Sequence, residues 1–306
     1  MIPVRFKGNE KDMVQKLCGD LLKVKPRQKK KNTYKRNLKK INEWCKKHII
    51  IDGKSLSFED VVKADFETLT KIVSILEREN IHDDDDKDFL INYLYKERFS
   101  DKKYRLEFMD SLGITVCPYC NRNFVNSTKE RTMSQFDHFF NKNKYPLLAV
   151  SFYNLIPVCS SCNHAKGEKE IKYSPHDKKY KTNDLVNFDF SIIGMDYLFN
   201  DKDLKIELDG DKDFNQNIKA MMLDEVYQLH TDVVQECIKK TMIFNPDYLD
   251  YLCTEYKDLF DSKEELYKLV FGNYIDEESF GKRPLAKLMH DIYEDLFDIY
   301  YGEKFE

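Results

Sequence analysis

The chain has 306 residues, of which 42% are hydrophobic and 34% charged, and its formal net charge is −4. This length allows one large domain or two to three small ones, and the acidic balance argues against polyanion binding by bulk electrostatics. No apolar run approaches the ~18 residues of a membrane span, and the first residues lack the apolar core of a signal peptide. We therefore expect a cytoplasmic protein without a membrane segment, in which a local patch makes any nucleic-acid contact.

Residues 1–110 are predicted to form a helical N-terminal region. Apolar residues recur at helical spacing over residues 13–21 and 61–76. Ser57 and Asp60 have the spacing of a capping box at the start of the second run.

A basic segment lies within this region. Residues 23–47 carry twelve Lys and Arg against one acid, Glu43, and Tyr34 and Trp44 are interleaved among them. A basic helix of this kind can contact phosphates. The alternative is a solvated face whose apolar side packs on the rest of the protein.

Residues 111–176 are predicted to form a small mixed insert. Residues 135–139 and 155–158 are short and strand-like, and residues 160–167 have the pattern of a short helix that ends at a glycine.

Residues 177–306 are predicted to be mostly helical after one hairpin. Alternating apolar residues predict strands over residues 188–192 and 204–208. A three-to-four spacing predicts one long helix over residues 218–237, and Pro284 is expected to open the last helix. The predicted fold class is therefore mainly α with a small α+β insert.

Two Cys-x-x-Cys pairs bracket the insert. The first pair is Cys117 with Cys120, and the second is Cys159 with Cys162. Two such turns present four thiolates to one metal and leave no open position for water. A redox dithiol is the alternative, but that motif needs one pair at a helix start after a strand. We therefore expect a structural zinc ion that contributes folding free energy.

Asp137, His138 and Asn163 lie between or beside these pairs. Hydrolysis of a phosphodiester needs an activated water and compensation of the charge on the phosphate and the leaving oxygen. A histidine can take the proton near neutral pH, and a hard cation on oxygen ligands can clamp the phosphate. Neighbours on an extended segment point to opposite sides, so one of Asp137 and His138 can hold metal while the other faces the water.

Residues 111–173 combine these features in a fixed order: a Cys-x-x-Cys pair, Asp-His, the segment YNLIP, and Cys-x-x-Cys-Asn-x-x-Lys-Gly. The combination resembles the HNH endonucleases, or ββα-metal nucleases, in which a β-hairpin and a helix enclose one divalent cation. The resemblance implies a catalytic Mg²⁺ or Mn²⁺ and products with 5′-phosphate and 3′-hydroxyl ends. It also implies that the four cysteines form the zinc knuckle found in many members.

The resemblance assigns a role to five residues. It implies His138 as the general base and Asp137 as a metal ligand. Asn154 matches the middle asparagine, which is expected to hold the histidine-bearing loop in place. Asn163 matches the third motif residue and implies an amide as the second metal ligand. Lys166 matches the basic residue three positions later and is expected to contact phosphate.

Three positions depart from the pattern or leave alternatives open. Asn141 stands where many members have proline. His164 is the alternative to Asn163 as the metal ligand. His176 is expected to lie in a surface turn, and a contact with substrate is its alternative.

A narrower resemblance involves DHFF, the segment KYPLLAVSFYNLIPVCSSCNHAKG and the late segment RPLAKL at residues 283–288. These resemble the HNH nucleases of bacterial anti-phage systems of the Septu type, in which the nuclease works beside an ATPase. The resemblance implies an ATPase partner and a role in host defence.

The expected function is metal-dependent hydrolysis of DNA phosphodiester bonds. One alternative is a zinc-stabilised module that binds nucleic acid or a partner without catalysis. A nuclease directed at RNA is a second alternative. A metal on oxygen ligands near His138 distinguishes the enzyme from the binding module.

Overall fold

Helices dominate the chain, as the apolar periodicity predicts. The structure, a computed structural model, describes residues 1–23 and 31–305, so residues 24–30 of the predicted basic segment lie outside the described residues. The strands in the described ranges form three antiparallel pairs. The predicted mainly α fold with a small mixed insert is confirmed.

The N-terminal region is built from amphipathic helices. Ser57 caps one of them: its hydroxyl accepts from the backbone N–H of Asp60, and the Asp60 side chain accepts from the backbone N–H of Ser57, so the predicted capping box is confirmed. The elements in chain order are α1 (Glu10–Leu22), α2 (Lys31–His48), β1 (Ile50–Ile51), β2 (Lys54–Ser55), α3 (Phe58–Lys63), α4 (Phe66–Leu76), α5 (Asp84–Lys87), a π-helical segment (Asp88–Phe99) and α6 (Lys102–Leu112).

The insert forms a hairpin followed by a helix. Strands β3 (Gln135–His138) and β4 (Leu155–Val158) pair antiparallel, with His138 opposite Leu155. The helix α7 (Ser160–Lys166) begins directly after Cys159, the first cysteine of the second pair. The strands and the helix lie within a residue of the predicted positions, and two 3₁₀ turns lie between the strands, at Pro146–Leu148 and Phe152–Asn154.

The C-terminal region contains the predicted hairpin and further helices. Its elements are α8 (Thr182–Leu185), β5 (Val186–Ile192), β6 (Leu204–Gly210), α9 (Asn215–Met221), α10 (Leu223–Val226), a 3₁₀ turn (Tyr227–His230), α11 (Thr231–Ile243), α12 (Pro246–Glu255), α13 (Lys263–Phe271) and α14 (Ala286–Tyr301).

The single long helix predicted over residues 218–237 is wrong. Met222 adopts a left-handed conformation with φ 52°, which ends α9, and a 3₁₀ turn then precedes α11. Tertiary hydrogen bonds hold the turn in this form. The Tyr227 hydroxyl donates to the carbonyl of Cys120, and Gln228 exchanges two hydrogen bonds with the backbone of Ile206. Packing against the cysteine loop and the hairpin therefore overrides the local helical pattern.

One continuous apolar core runs through all three regions. The ring of Phe136 on β3 packs edge-on against Phe99, at 5.2 Å between centroids, and Phe108, at 5.6 Å. The N-terminal arm also joins the insert, because the Ile2 N–H donates to the carbonyl of Pro118 at 2.8 Å. The strand that carries Asp137 and His138 therefore rests on the N-terminal helices. No helix in the described ranges is long and apolar enough to cross a membrane.

Candidate functional site

The four cysteines of the two pairs lie together in the structure. Their sulfur atoms are all within 4.8 Å of one another, and all four side chains are buried. The first pair lies on a loop before β3. In the second pair, Cys159 is the residue before α7 and Cys162 lies in its first turn. The closed set of four sulfur ligands fits tetrahedral zinc, as the spacing predicts.

Two N–H groups near the cluster donate hydrogen bonds to its sulfur atoms. The N–H of Arg122 donates to Sγ of Cys120 at 3.4 Å, and the amide of Asn123 donates to Sγ of Cys159 at 3.5 Å. Burial raises the pKa of the Cys117 thiol. Four buried thiolates would repel one another, so a cation is needed at their centre.

The imidazole of His138 is fixed through one of its two ring nitrogens. Its side chain is only 6% exposed, and Nε2 lies 2.9 Å from the carbonyl oxygen of Ala149. Because a carbonyl can only accept, Nε2 carries the proton and Nδ1 is left as the acceptor. Burial lowers the pKa of His138 to about 3, so the imidazole is neutral at pH 7. The edge-to-face contact with Tyr95, at 4.5 Å between centroids, fixes the plane of the ring.

Asp137 points to the other side of β3 and is also buried. Its Oδ2 accepts from the Tyr119 hydroxyl at 2.7 Å, and the ammonium of Lys166 lies 3.1 Å from the same oxygen. Burial raises the pKa of Asp137, and Lys166 and Tyr119 oppose that shift. The carboxylate is thus oriented by two partners, which is the arrangement typical of metal-ligating carboxylates.

The side chain of Lys166 is buried, whereas a phosphate ligand is expected to be exposed. Its side chain is only 3% exposed, and its ammonium donates to Asp137 and to the carbonyl of His138. A buried carboxylate without a counter-charge is costly, so the lysine turns inward to neutralise it. The structure therefore corrects this expectation: Lys166 serves Asp137 and does not face the substrate side.

Asn154 joins the hairpin to the loop that follows His138. Its Oδ1 accepts from the N–H of Phe140 at 2.7 Å, and its Nδ2 donates to the carbonyls of Phe140 and Leu148. The side chain is fully buried. These three hydrogen bonds are what a residue that holds the histidine-bearing loop would make.

A cleft of about 480 Å³ opens beside β3, and Asp137, His138 and Asn163 all line it. The Asn163 amide donates to Oε1 of Gln135 at 2.6 Å, which leaves the Asn163 oxygen free to bind a cation. His164 is exposed and does not line this cleft. Of the two candidates for the second ligand, only Asn163 therefore lies at the cleft.

His176 lies in a turn, as expected, but the turn is buried, so its expected place on the surface is wrong. It is 1% exposed, and its Nε2 lies 3.1 Å from the carbonyl oxygen of Leu155. Its ring contacts Tyr153 edge-on at 5.4 Å. Its hydrogen bond supports the start of β4, and it does not line the cleft.

Five further residues shape the site and were not predicted from the sequence. Their positions are Tyr95, Arg105, Tyr119, Gln135 and Lys142. Tyr119 stands inside the first cysteine pair and Lys142 four residues after His138, so proximity to the motif was an available signal. Tyr95 and Arg105 come from the N-terminal helices, and nothing in their local sequence marks them.

Comparisons with known proteins agree with this geometry. The family model described as HNH endonuclease matches residues 117–169. A Septu protein PtuB from Bacillus thuringiensis is 36% identical over 59 residues, which are 19% of this chain and 22% of that protein. The chain thus spans about a fifth of the length of this curated relative. The comparison with solved structures gave no match.

The family match covers the hairpin, the helix and all four cysteines, and the aligned segment joins residues that the fold brings to one cleft. The resemblance inferred from the motif order is confirmed. We conclude that residues 117–169 constitute an HNH endonuclease domain with a four-cysteine cluster that could hold zinc.

Proposed function

We propose that this protein is a metal-dependent endonuclease that hydrolyses phosphodiester bonds of DNA. The observation that carries the proposal is that one cleft is lined by His138, Asp137 and Asn163. A base, two oxygen ligands and an open cleft are the parts that hydrolysis by one metal requires.

His138 is the general base in this proposal. Its Nδ1 removes a proton from water, which attacks phosphorus, while the hydrogen bond to Ala149 keeps the ring oriented. Oxygen atoms of Asp137 and Asn163 would hold Mg²⁺ or Mn²⁺, which supplies charge compensation for the phosphate and the leaving oxygen. The bond between phosphorus and the 3′ oxygen would break, and that oxygen would take up a proton from solvent, so the products would carry 5′-phosphate and 3′-hydroxyl ends.

The remaining predicted residues have supporting roles. Asn154 holds the loop after His138, and Lys166 neutralises Asp137 inside the domain. The four clustered cysteines would bind a structural zinc ion next to the catalytic hairpin.

We further propose that the protein acts in the cytoplasm as the effector nuclease of a bacterial anti-phage defence system and works with an ATPase partner. The partial similarity to a Septu protein PtuB supports this role. The measurement that tests it is phage plaquing on cells that carry the gene with its neighbours, compared with cells in which His138 is replaced by alanine. Equal plaquing on both would contradict a nuclease-based defence role.

A plasmid-cleavage assay with Mg²⁺ or Mn²⁺ tests the nuclease itself. We expect His138→Ala to abolish cutting and to leave thermal melting cooperative. His176→Ala is a matched control, because His176 is equally buried and also bonds one backbone carbonyl, yet lies outside the cleft. Cutting that survives in His138→Ala would contradict the assignment of the base.

The same assay separates the alternatives. Cutting of single-stranded RNA but not of plasmid would favour an RNA-directed nuclease. DNA binding without cutting, by protein that contains zinc but no second metal site, would favour a binding module.

A further inference from the structure

The cleft beside His138 contains two cationic side chains without a directly paired carboxylate, although Glu168 also lines this cleft. Arg105 comes from α6, and Lys142 comes from the loop after β3. Within the part of the chain that the structure describes, neither forms an ion pair with an acidic side chain. Lys166, by contrast, is already paired with Asp137. The positive charge available to a substrate in this cleft therefore comes from Arg105 and Lys142.

Arg105 is held in place with most of its donors unused. Its Nη2 donates to the carbonyl of Ser134 at 2.9 Å, and the guanidinium carbon lies 5.1 Å from the centroid of the Phe136 ring. Its Nε is buried and has no hydrogen-bond partner. A guanidinium has five N–H donors, and partial burial without an anion leaves its charge poorly compensated. Such a group fits an anionic ligand that enters the cleft.

Lys142 is the second such group. Its side chain is partly buried, and its Nζ lies 5.8 Å from the centroid of the Tyr95 ring. Burial lowers the pKa of Lys142, and the carboxylates of Asp137 and Glu168 oppose that shift. An anion in the cleft would stabilise the charged ammonium in the same way.

The two cations reach the cleft of the proposed base from different elements. Phe136, whose ring contacts Arg105, is two residues before His138. The side chains of Phe136 and His138 therefore share one face of β3 at a spacing of roughly 7 Å. Lys142 follows four residues after His138 and lines the same cleft. A nucleic-acid backbone that enters the cleft at His138 would therefore meet both cations.

We propose that Arg105 and Lys142 bind phosphates of the DNA strand close to the bond that is cut. This inference rests on the proposed nuclease function. Arg105 lies before residues 117–169, so the substrate site is completed by a helix outside the HNH endonuclease domain. The fork of a guanidinium binds phosphate oxygens in pairs, which also fixes the orientation of the strand.

Salt-dependent binding provides the test. We would measure the anisotropy of a labelled duplex DNA across a salt series, with every variant made on the His138→Ala background to prevent cutting. Loss of one phosphate contact lowers the slope of log K against log salt by about 0.9. We expect Arg105→Gln and Lys142→Gln each to show that change and to weaken binding about tenfold, independent of the DNA sequence.

Arg78→Gln is the matched control. Arg78 is exposed, bonds one backbone carbonyl, and lies outside the cleft, so its loss removes the same charge without the proposed contact. Arg105→Lys keeps the charge but loses the fork, and we expect it to retain the slope and to bind severalfold more weakly. This variant also provides the answer if Arg105→Gln fails to fold.

The outcomes separate this inference from the nuclease proposal. An Arg105→Gln protein that melts normally and binds with the same slope and affinity as its parent overturns the inference, even if the wild type cuts plasmid. A wild-type protein that never cuts, but whose slope falls in Arg105→Gln, contradicts the nuclease and supports the phosphate contact.

Discussion

The ammonium of Lys166 lies 3.1 Å from Oδ2 of Asp137, in an ion pair that is almost completely shielded from water. Lys166 ends α7 and Asp137 lies in β3, so the pair joins the helix to the hairpin. The same carboxylate is the proposed ligand of the catalytic cation. Lys166 therefore already supplies positive charge to Asp137, and a divalent cation bound there would supply more.

Lys166→Met tests this arrangement. Removal of one partner from a buried ion pair leaves an uncompensated charge, so we expect the free energy of unfolding to fall by about 3–5 kcal/mol in the absence of Mg²⁺. A cation bound at Asp137 would replace the missing charge. Added Mg²⁺ should therefore raise the melting temperature of the variant more than that of the wild type. Calorimetry with and without Mg²⁺ measures both effects.

The double variant Lys166→Met with Asp137→Asn is the control for that experiment. It has no buried carboxylate to compensate, so Mg²⁺ should give it no larger stabilisation than it gives the wild type. If Mg²⁺ stabilises Lys166→Met no better than the wild type, Asp137 is not a ligand of that cation.

Tyr119→Phe removes the hydroxyl that donates to Asp137. Partners that orient a ligating carboxylate typically contribute 10–100-fold to metal affinity, so we expect the Mg²⁺ concentration for half-maximal cleavage to rise about tenfold. A metal titration of plasmid cutting measures this change. Tyr227→Phe is the control, because its hydroxyl donates to the carbonyl of Cys120 and not to Asp137. An equal Mg²⁺ requirement in both variants would mean that the Tyr119 hydroxyl has no specific role.

Asn154→Ala should separate stability from catalysis. It removes three buried hydrogen bonds, and we expect a loss of about 2–4 kcal/mol in the free energy of unfolding together with a large fall in the cleavage rate. Asn217 is also fully buried and makes three hydrogen bonds, with Lys172 and Tyr173, outside the cleft. Asn217→Ala should be destabilised to a similar degree yet cut normally below its melting temperature. Chemical denaturation and single-turnover cleavage provide the two measurements.

Cys159→Ser tests the metal role of the cysteine cluster. A serine oxygen replaces one thiolate of the set, so we expect zinc content to fall and the domain to lose its cooperative melting. Cys237→Ser also changes a buried cysteine, but one far from the cluster in sequence, and it should keep its zinc. Plasma mass spectrometry together with thermal melting measures both. A Cys159→Ser protein with normal zinc content and normal melting would refute the structural role.

The local elements of the insert were predictable because short-range patterns determine them. The cysteine spacing, the alternation in β3 and the glycine after α7 each act within a few residues. The break at Met222 was not predictable in that way. It depends on hydrogen bonds from Tyr227 to the cysteine loop and from Gln228 to β6, which are distant in sequence.

The candidate site shows the same division. Asp137, His138 and Asn163 follow from a motif, and the fold brings them to one cleft. The direction of a long side chain does not follow from a motif. Lys166 reaches inward because a buried carboxylate lies within its range, and Arg105 reaches the cleft because α6 packs against Phe136. Only the tertiary structure shows which cations are already neutralised.

The packing of Phe136 between Phe99 and Phe108 limits which fragments of the protein can fold on their own. A fragment cut to the family-matched segment would expose an aromatic surface and lose the helix that carries Arg105. The HNH endonuclease domain therefore depends on the helices next to it. A transfer of this domain to another protein should fail unless residues 95–112 are transferred as well. For the same reason, an N-terminal truncation that abolishes cutting would say nothing about the chemistry of the proposed catalytic residues.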